Sequence, residues 1–248
     1  MKPEATINIQ RLHGSQAAEA RGVVVVIDVI RAFSVAAYAF AGGARAVWLV
    51  RTVEEAFALR ERAADALLIG EVGGRLIPGF DYNNSPAAMS RADVRGRLLI
   101  QRTGAGTQGA VGATGARALL LAALVNARAT AIYAGALLEG GNDIMTLMPT
   151  AAPTEDGGLP AIEDDVCADY LEALLRRHVD AADTLAQGVA RLRACGRLSV
   201  FERSYPDFPA DDAPAFMAAD RFAFAMSGIR EHWRDIEYVA ARRVDISL

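Results

Sequence analysis

The sequence predicts an α/β protein, three layers deep, with a mostly parallel sheet between helices. Three observations carry this. Short aliphatic runs recur along the chain, helical patterns stand between them, and the connections are rich in Gly, Asn and Pro. Strands that alternate with helices form parallel sheets covered on both faces, and strands buried on both faces read as continuous apolar runs.

Residues 23–27, Val-Val-Val-Val-Ile, are the clearest strand, and polar Asp28 ends it. Apolar and small residues at helical spacing predict a helix over 31–41, stopped by Gly42-Gly43. A second buried strand is expected over 46–50. Thr52 followed by Glu55 is a capping box that opens a helix to about residue 64. A third strand over 66–69 leads into a loop, 70–86. A fourth over 97–101 leads into a tight turn, Gly104 to Gly106, and another helix. The second half reads as a strand at 118–121, a helix at 126–138, a strand at 143–148, and helices at 162–177 and 181–194. An irregular stretch at 202–214, a short helix at 215–225 and a terminal strand at 238–244 follow. In the 162–177 helix Ile162, Val166, Tyr170, Leu171, Leu174 and Leu175 share one face. The expected organisation is one α/β domain, 1–248, or two lobes of about 1–125 and 126–248 with the site between them.

The 248 residues carry a net charge of −4 and are 52% apolar. That is enough for a large core and too apolar for a disordered chain. No basic block is present, so a nucleic-acid partner is not expected. The longest apolar run, Ala118 to Val125, is far short of the ~20 residues that span a bilayer, and the N-terminus lacks a signal-peptide core. No membrane association is expected. Two widely spaced cysteines predict a reducing, cytoplasmic setting. Of 26 basic residues only Lys2 is a lysine, so any grip on an anion must come from Arg, backbone N–H groups or a metal. His13, His178 and His232 stand apart from the polar clusters, which argues against a zinc site or a Ser-His-Asp triad. The many alanines suit close helix packing, including packing between subunits of a homo-oligomer.

Ligands of α/β sheets bind beyond the carboxyl ends of strands. Asp28, directly after an apolar strand, reads as a nucleophile, a hard-metal ligand or the cap of the next helix. Arg31 could hold an anionic oxygen in its planar fork, or pair with Asp28. Glu71, set among glycines, reads as a second carboxylate of an oxygen-ligand site or as a surface glutamate. Asp81, Asn83, Asn84, Ser85 and Pro86 are turn chemistry whose groups could also bind acid-like hydroxyls. Thr103 to Thr107 is a Gly-rich strand-to-helix turn suited to an anion. It lacks the Gly-Lys-Ser/Thr of a Walker motif. Gly104, Gly106 and Gly109 give a dinucleotide spacing, but no acidic residue ends a strand ~20 residues later. Glu163, Asp164 and Asp165 are first-turn acids favoured by the helix dipole, or metal ligands. Cys167 reads as core.

In their order and spacing these segments resemble the 2-phosphosulfolactate phosphatase family. The resemblance rests on Val25, Ile27 to Ala32, Gly70 to Gly74, Gly79-Phe80-Asp81, Asn84-Ser85-Pro86, Thr103, Gly106-Thr107, Asn126-Ala127 and Glu163-Asp164. The chain departs from the family pattern in the turn 101–107 and in the stretch 147–160. The resemblance implies a three-layer α/β fold and Mg²⁺-dependent hydrolysis of a phosphate ester on a sulfonated three-carbon acid. It implies catalytic roles for Asp28, Arg31 and Glu71, with Mg²⁺ held by Asp28, Glu71, Glu163 and Asp164. The small phosphorylated acid would be bound by Asp81, Asn84, Ser85, Arg102, Thr103, Gly104, Gly106, Thr107 and Asn126. A non-catalytic α/β protein that binds a small anion is the alternative.

Overall fold

The computed structural model describes residues 7–138, 143–150, 162–202 and 206–247. In chain order the elements are β1 (Asn8–Arg11), β2 (Gly22–Ile27), α1 (Ala32–Ala41), β3 (Ala46–Val50), α2 (Val53–Arg62), β4 (Leu67–Val72), β5 (Arg75–Leu76), α3 (Pro86–Met89), β6 (Leu98–Arg102), α4 (Gly106–Gly112), β7 (Ala116–Ala122), α5 (Ala127–Ala136), β8 (Ile144–Pro149), α6 (Glu163–Leu175), α7 (Ala181–Ala194), α8 (Ser199–Glu202), α9 (Asp212–Phe216), β9 (Phe224–Trp233) and β10 (Ile236–Asp245). Short 3-10 turns cover Gly14–Glu19 and Leu124–Asn126. The capping box forms as read: Thr52 Oγ1 accepts from Glu55 N at 3.1 Å, and Glu55 Oε2 accepts from Thr52 N at 3.0 Å. Among the described residues no helix is long and apolar enough to cross a membrane.

The strands form one sheet in the order β1-β8-β2-β7-β9-β10-β3-β6-β4-β5. Two parallel blocks, β1-β8-β2-β7 and β3-β6-β4, are joined by the β9–β10 hairpin. The hairpin strands are antiparallel to each other and to both neighbours, so the two blocks run in opposite senses. The halves of the chain interleave: β8 lies between β1 and β2, and the hairpin lies between β7 and β3. Lobes of 1–125 and 126–248 are therefore not how this sheet is built.

Alternation along the strands divides the core. Val24, Val26, Val47, Leu49, Ile69, Leu99, Leu119, Leu121, Met226, Val239 and Ala241 share a cluster with α1. Residues 32–40 of that helix are all buried, as expected for a helix apolar all round. The helix thus shares one core cluster with strands of both blocks. The opposite face is covered in two parts. Val23, Val25, Ile27, Leu120 and Ala122 pack with α5 and α6, and Leu68, Leu98, Ile100, Tyr238 and Ala240 pack with α2. This is the three-layer arrangement that the sequence predicts.

Four expectations need correction. The third strand continues to Val72 and doubles back as β5, so the loop begins later than residue 70. The helix expected at 215–225 is the shorter α9, and β9 was not anticipated. Phe224, Ala225 and Met226 are buried, but the rest of β9 is half-exposed with Ile229 at 48% exposure, so the strand shows neither clean alternation nor an apolar run. Strand β1 and the turn after it also escaped a pattern reading. Finally, the carboxyl ends of β2 and β6 do not lie on one sheet edge. The loops that follow them nonetheless line one cleft. The stretch 147–160, noted as divergent, lies largely outside the described residues.

Candidate active site

A cleft of about 220 Å³ opens where the loops after β2, β4 and β6 meet the segment that follows α7. It brings together Asp28, Arg31, Glu71, Asn84 and Thr103 of the expected set, with Ile30, Gly73, Gly74 and Ala105. Arg197, Phe201 and Phe208 complete the lining, and no sequence pattern signalled them.

Asp28 is 5% exposed. Its Oδ1 accepts from Ala32 N at 2.9 Å, so it anchors the start of α1 while facing the cleft, and the capping and site readings coexist. Burial pushes its carboxyl up to about 6. The Glu163 and Glu71 carboxylates add to this, and hydrogen bonds from the Ala32 and Gly106 backbones oppose it. A Cβ built on Gly106 would lie 2.5 Å from Asp28 Oδ2 and 2.9 Å from the Ala32 Cβ. Gly106→Ala is therefore expected to lower stability by about 1–3 kcal/mol through overpacking and to displace the loop from Asp28. Urea unfolding checks this, and an unchanged midpoint would contradict the close approach.

Glu71 fixes two loops at once, accepting from Gly104 N at 2.6 Å and from Gly74 N at 2.7 Å. Thr103 and Thr107 tie their own turn: Thr103 N donates to Thr107 Oγ1 at 3.0 Å and Thr107 N to Thr103 Oγ1 at 3.2 Å. Arg102 is engaged by backbone carbonyls, donating to Glu71 O at 2.8 Å and Arg51 O at 3.4 Å, so it builds the turn rather than lining the cleft.

Arg31 is 4% exposed and pairs with Asp212, which is fully buried, at 2.9 Å. It also donates to Asp207 O at 2.8 Å, and the Phe208 ring centroid lies 4.6 Å from its guanidinium carbon. Asp212 in turn accepts from Ser85 Oγ at 2.6 Å and Ala87 N at 3.1 Å. The predicted partner of Arg31, Asp28, is thus replaced by a residue far along the chain. Ser85 caps α3 through Ala88 N and lies behind the lining.

The remaining expected residues serve the framework. Asp81 accepts from Leu68 N at 2.7 Å and pairs with Arg60, away from the cleft. Asn126 is fully buried and bonds Ala123 N, Leu121 O and Thr130 Oγ1. Asp164 accepts from Val29 N at 2.8 Å and Thr150 N at 3.1 Å, clamping the β2 and β8 ends together. Glu163, 1% exposed, is held in a bidentate pair by Arg197. Cys167 is fully buried in the core, as read, and that burial raises its thiol well above its ordinary value.

Among the described residues, no three of His, Cys, Asp and Glu cluster as an all-protein metal cage. The donor chemistry still fits Mg²⁺, which takes oxygen ligands, one or two of them carboxylates, and keeps several waters. Asp28 and Glu71 both face the cleft, and each carboxylate has lone pairs beyond the backbone N–H groups it accepts.

Fold and cleft define an α/β protein with a small-molecule site, walled by paired carboxylates, arginines and two phenylalanines. The sequence model of the 2-phosphosulpholactate phosphatase family matches residues 8–199. A probable 2-phosphosulfolactate phosphatase of Bacillus subtilis is 36% identical over 189 residues, 76% of this chain and 78% of its own. A protein of the same description from Deinococcus radiodurans is 39% identical over 170 residues, 68% of this chain and 70% of its own. A third, from Carboxydothermus hydrogenoformans, is 38% identical over 152 residues, 61% of this chain and 60% of its own. The chain belongs to the 2-phosphosulpholactate phosphatase family.

Proposed function

We propose that this phosphatase hydrolyses the phosphate monoester of 2-phosphosulfolactate, releasing 3-sulfolactate and phosphate, with Mg²⁺ held by Asp28 and Glu71. The observation that carries the reading is the charge of the cleft. Asp28 and Glu71 line it without a cationic partner, because the two guanidiniums beside them, Arg31 and Arg197, are already paired with the buried carboxylates of Asp212 and Glu163 behind the wall. A multiply anionic ester does not enter an excess of negative charge unaided, so the site calls for a cation. Bound there, Mg²⁺ would offset charge on the phosphoryl oxygens and lower the pKa of coordinated water.

The chain's own groups supply position. Glu71, fixed by the Gly74 and Gly104 N–H groups, keeps its carboxylate beside the turn at Thr103. Asp28 is held at the start of α1, and at neutral pH it is ionised and able to accept a proton or a cation. Phe201 and Phe208 form an apolar part of the wall, and an apolar wall strengthens charge interactions beside it. Glu163 and Asp164, implied as ligands by the resemblance, are buried behind the wall and do not line the cleft, whereas Asp28 and Glu71 do, which favours the latter two as ligands.

The test is phosphate release from 2-phosphosulfolactate with Mg²⁺ and with excess chelator. Turnover that disappears on chelation and returns with Mg²⁺ is expected. Binding of the ester without release at any metal concentration would replace this reading with the anion-binding one.

A further inference from the structure

The two guanidinium groups that line the cleft are bonded differently. Arg31 is enclosed: Nη1 donates to Asp212 and to Asp207 O, and Nη2 to Gly74 O. Arg197 is open on one side. It follows Gly196, whose φ of 75° reverses the chain after α7. Its Nε and Nη2 hold Glu163 at 2.7–3.1 Å, while Nη1 has no hydrogen-bond partner among the described residues. Its side chain keeps 27% of its surface exposed, whereas that of Glu163 keeps 1%. The buried carboxylate therefore fixes the fork in advance, so little side-chain freedom is lost when a ligand meets its free edge. Phe201 lines the same cleft, and an apolar neighbour strengthens a charge-assisted hydrogen bond.

The geometry points to Arg197 as the specificity-determining residue, its free N–H edge receiving the acidic group of the substrate that is not transferred, a sulfonate or carboxylate. This rests on the phosphatase reading above. In that reading the phosphoryl group lies at Asp28 and Glu71, and Arg31, 4% exposed, already donates from both terminal nitrogens. Arg197, whose side chain is 27% exposed against 3% for Arg31, is then the lining cation with an accessible terminal nitrogen to offer. A monoester lacking a second acid would leave that donor facing water.

The experiment measures kcat and KM for 2-phosphosulfolactate and for phenyl phosphate, which has no second acid, in wild type, Arg197→Met and Arg197→Lys. The ratio of kcat/KM between the two substrates is expected to fall about ten- to a hundredfold in Arg197→Met, mainly through KM. Arg197→Lys, which keeps the charge but not the fork, should recover part of it. General damage to the fold lowers both substrates alike, so the ratio isolates the contact. If phenyl phosphate turns over too slowly, the same ratio is read from inhibition by 3-sulfolactate against inorganic phosphate. An unchanged ratio in both variants overturns the inference while leaving the phosphatase reading intact. Failure of the wild type to release phosphate from either ester, with Mg²⁺ present, overturns both.

Discussion

In Asp28→Asn, phosphate release is expected to fall by at least about a hundredfold, because the variant loses the charge that holds a cation or takes a proton. The same substitution should change how stability depends on pH. Asp28 titrates near 6 in the folded chain against an ordinary value of 3.8, chiefly through burial. The folded state thus holds the proton more tightly than the unfolded one. The group favours folding fully below about pH 4, and that contribution is lost as pH rises through about 6. Wild-type stability should therefore decline relative to Asp28→Asn between about pH 4 and 6, and the two should run parallel above it. Urea unfolding across this range checks the sign. Curves parallel throughout, or a wild type that gains on the variant with rising pH, would remove the assigned environment. Saturating Mg²⁺ is expected to stabilise the wild type at pH 8 and to have much less effect on Asp28→Asn.

Arg31→Met should be the most destabilising substitution in the cleft. It leaves the Asp212 carboxylate buried with no charge partner, and breaking a buried pair from one side costs about 3–5 kcal/mol. For a chain of this size that corresponds to a drop in Tm of roughly 6–20 °C. The double variant Arg31→Met/Asp212→Asn should recover part of the loss. It removes the stranded charge and keeps an oxygen for Ser85 Oγ and Ala87 N. Calorimetry on the three proteins decides the matter. A fall below about 1 kcal/mol in Arg31→Met would mean that Asp212 finds water or another partner.

What could be read from the sequence was what local pattern encodes. Asp28 and Glu71 stand directly after or within strands whose apolar runs identify them, and the topology rule for strand ends singles out such residues. The limits of α7 followed from helical spacing in the same way. Arg102 shows where local reading stops: it sits beside an anion-friendly turn, yet two backbone carbonyls claim its guanidinium. Arg197, Phe201, Phe208 and Asp212 had no local signal at all. They come from the loops and short helices after α7, and only long-range folding sets them beside residues 28–31. Asp164 and Asn126 matched a family pattern, and the structure accounts for both through the backbone groups they bind.

The β9–β10 hairpin gives the order of the chain a consequence for its synthesis. Among the described residues the two blocks pair only through strands that follow both of them in the chain, so until those strands are made Asp28 and Glu71 belong to halves with no shared sheet. Such late, non-local closure is intrinsically slow. A chain that ends before residue 224 contains every expected catalytic group, and the contacts of Arg31 with Gly74 and Asp212, but lacks the strands that join the two blocks into one sheet. The frame of this site thus depends in part on a segment that contributes none of its chemistry.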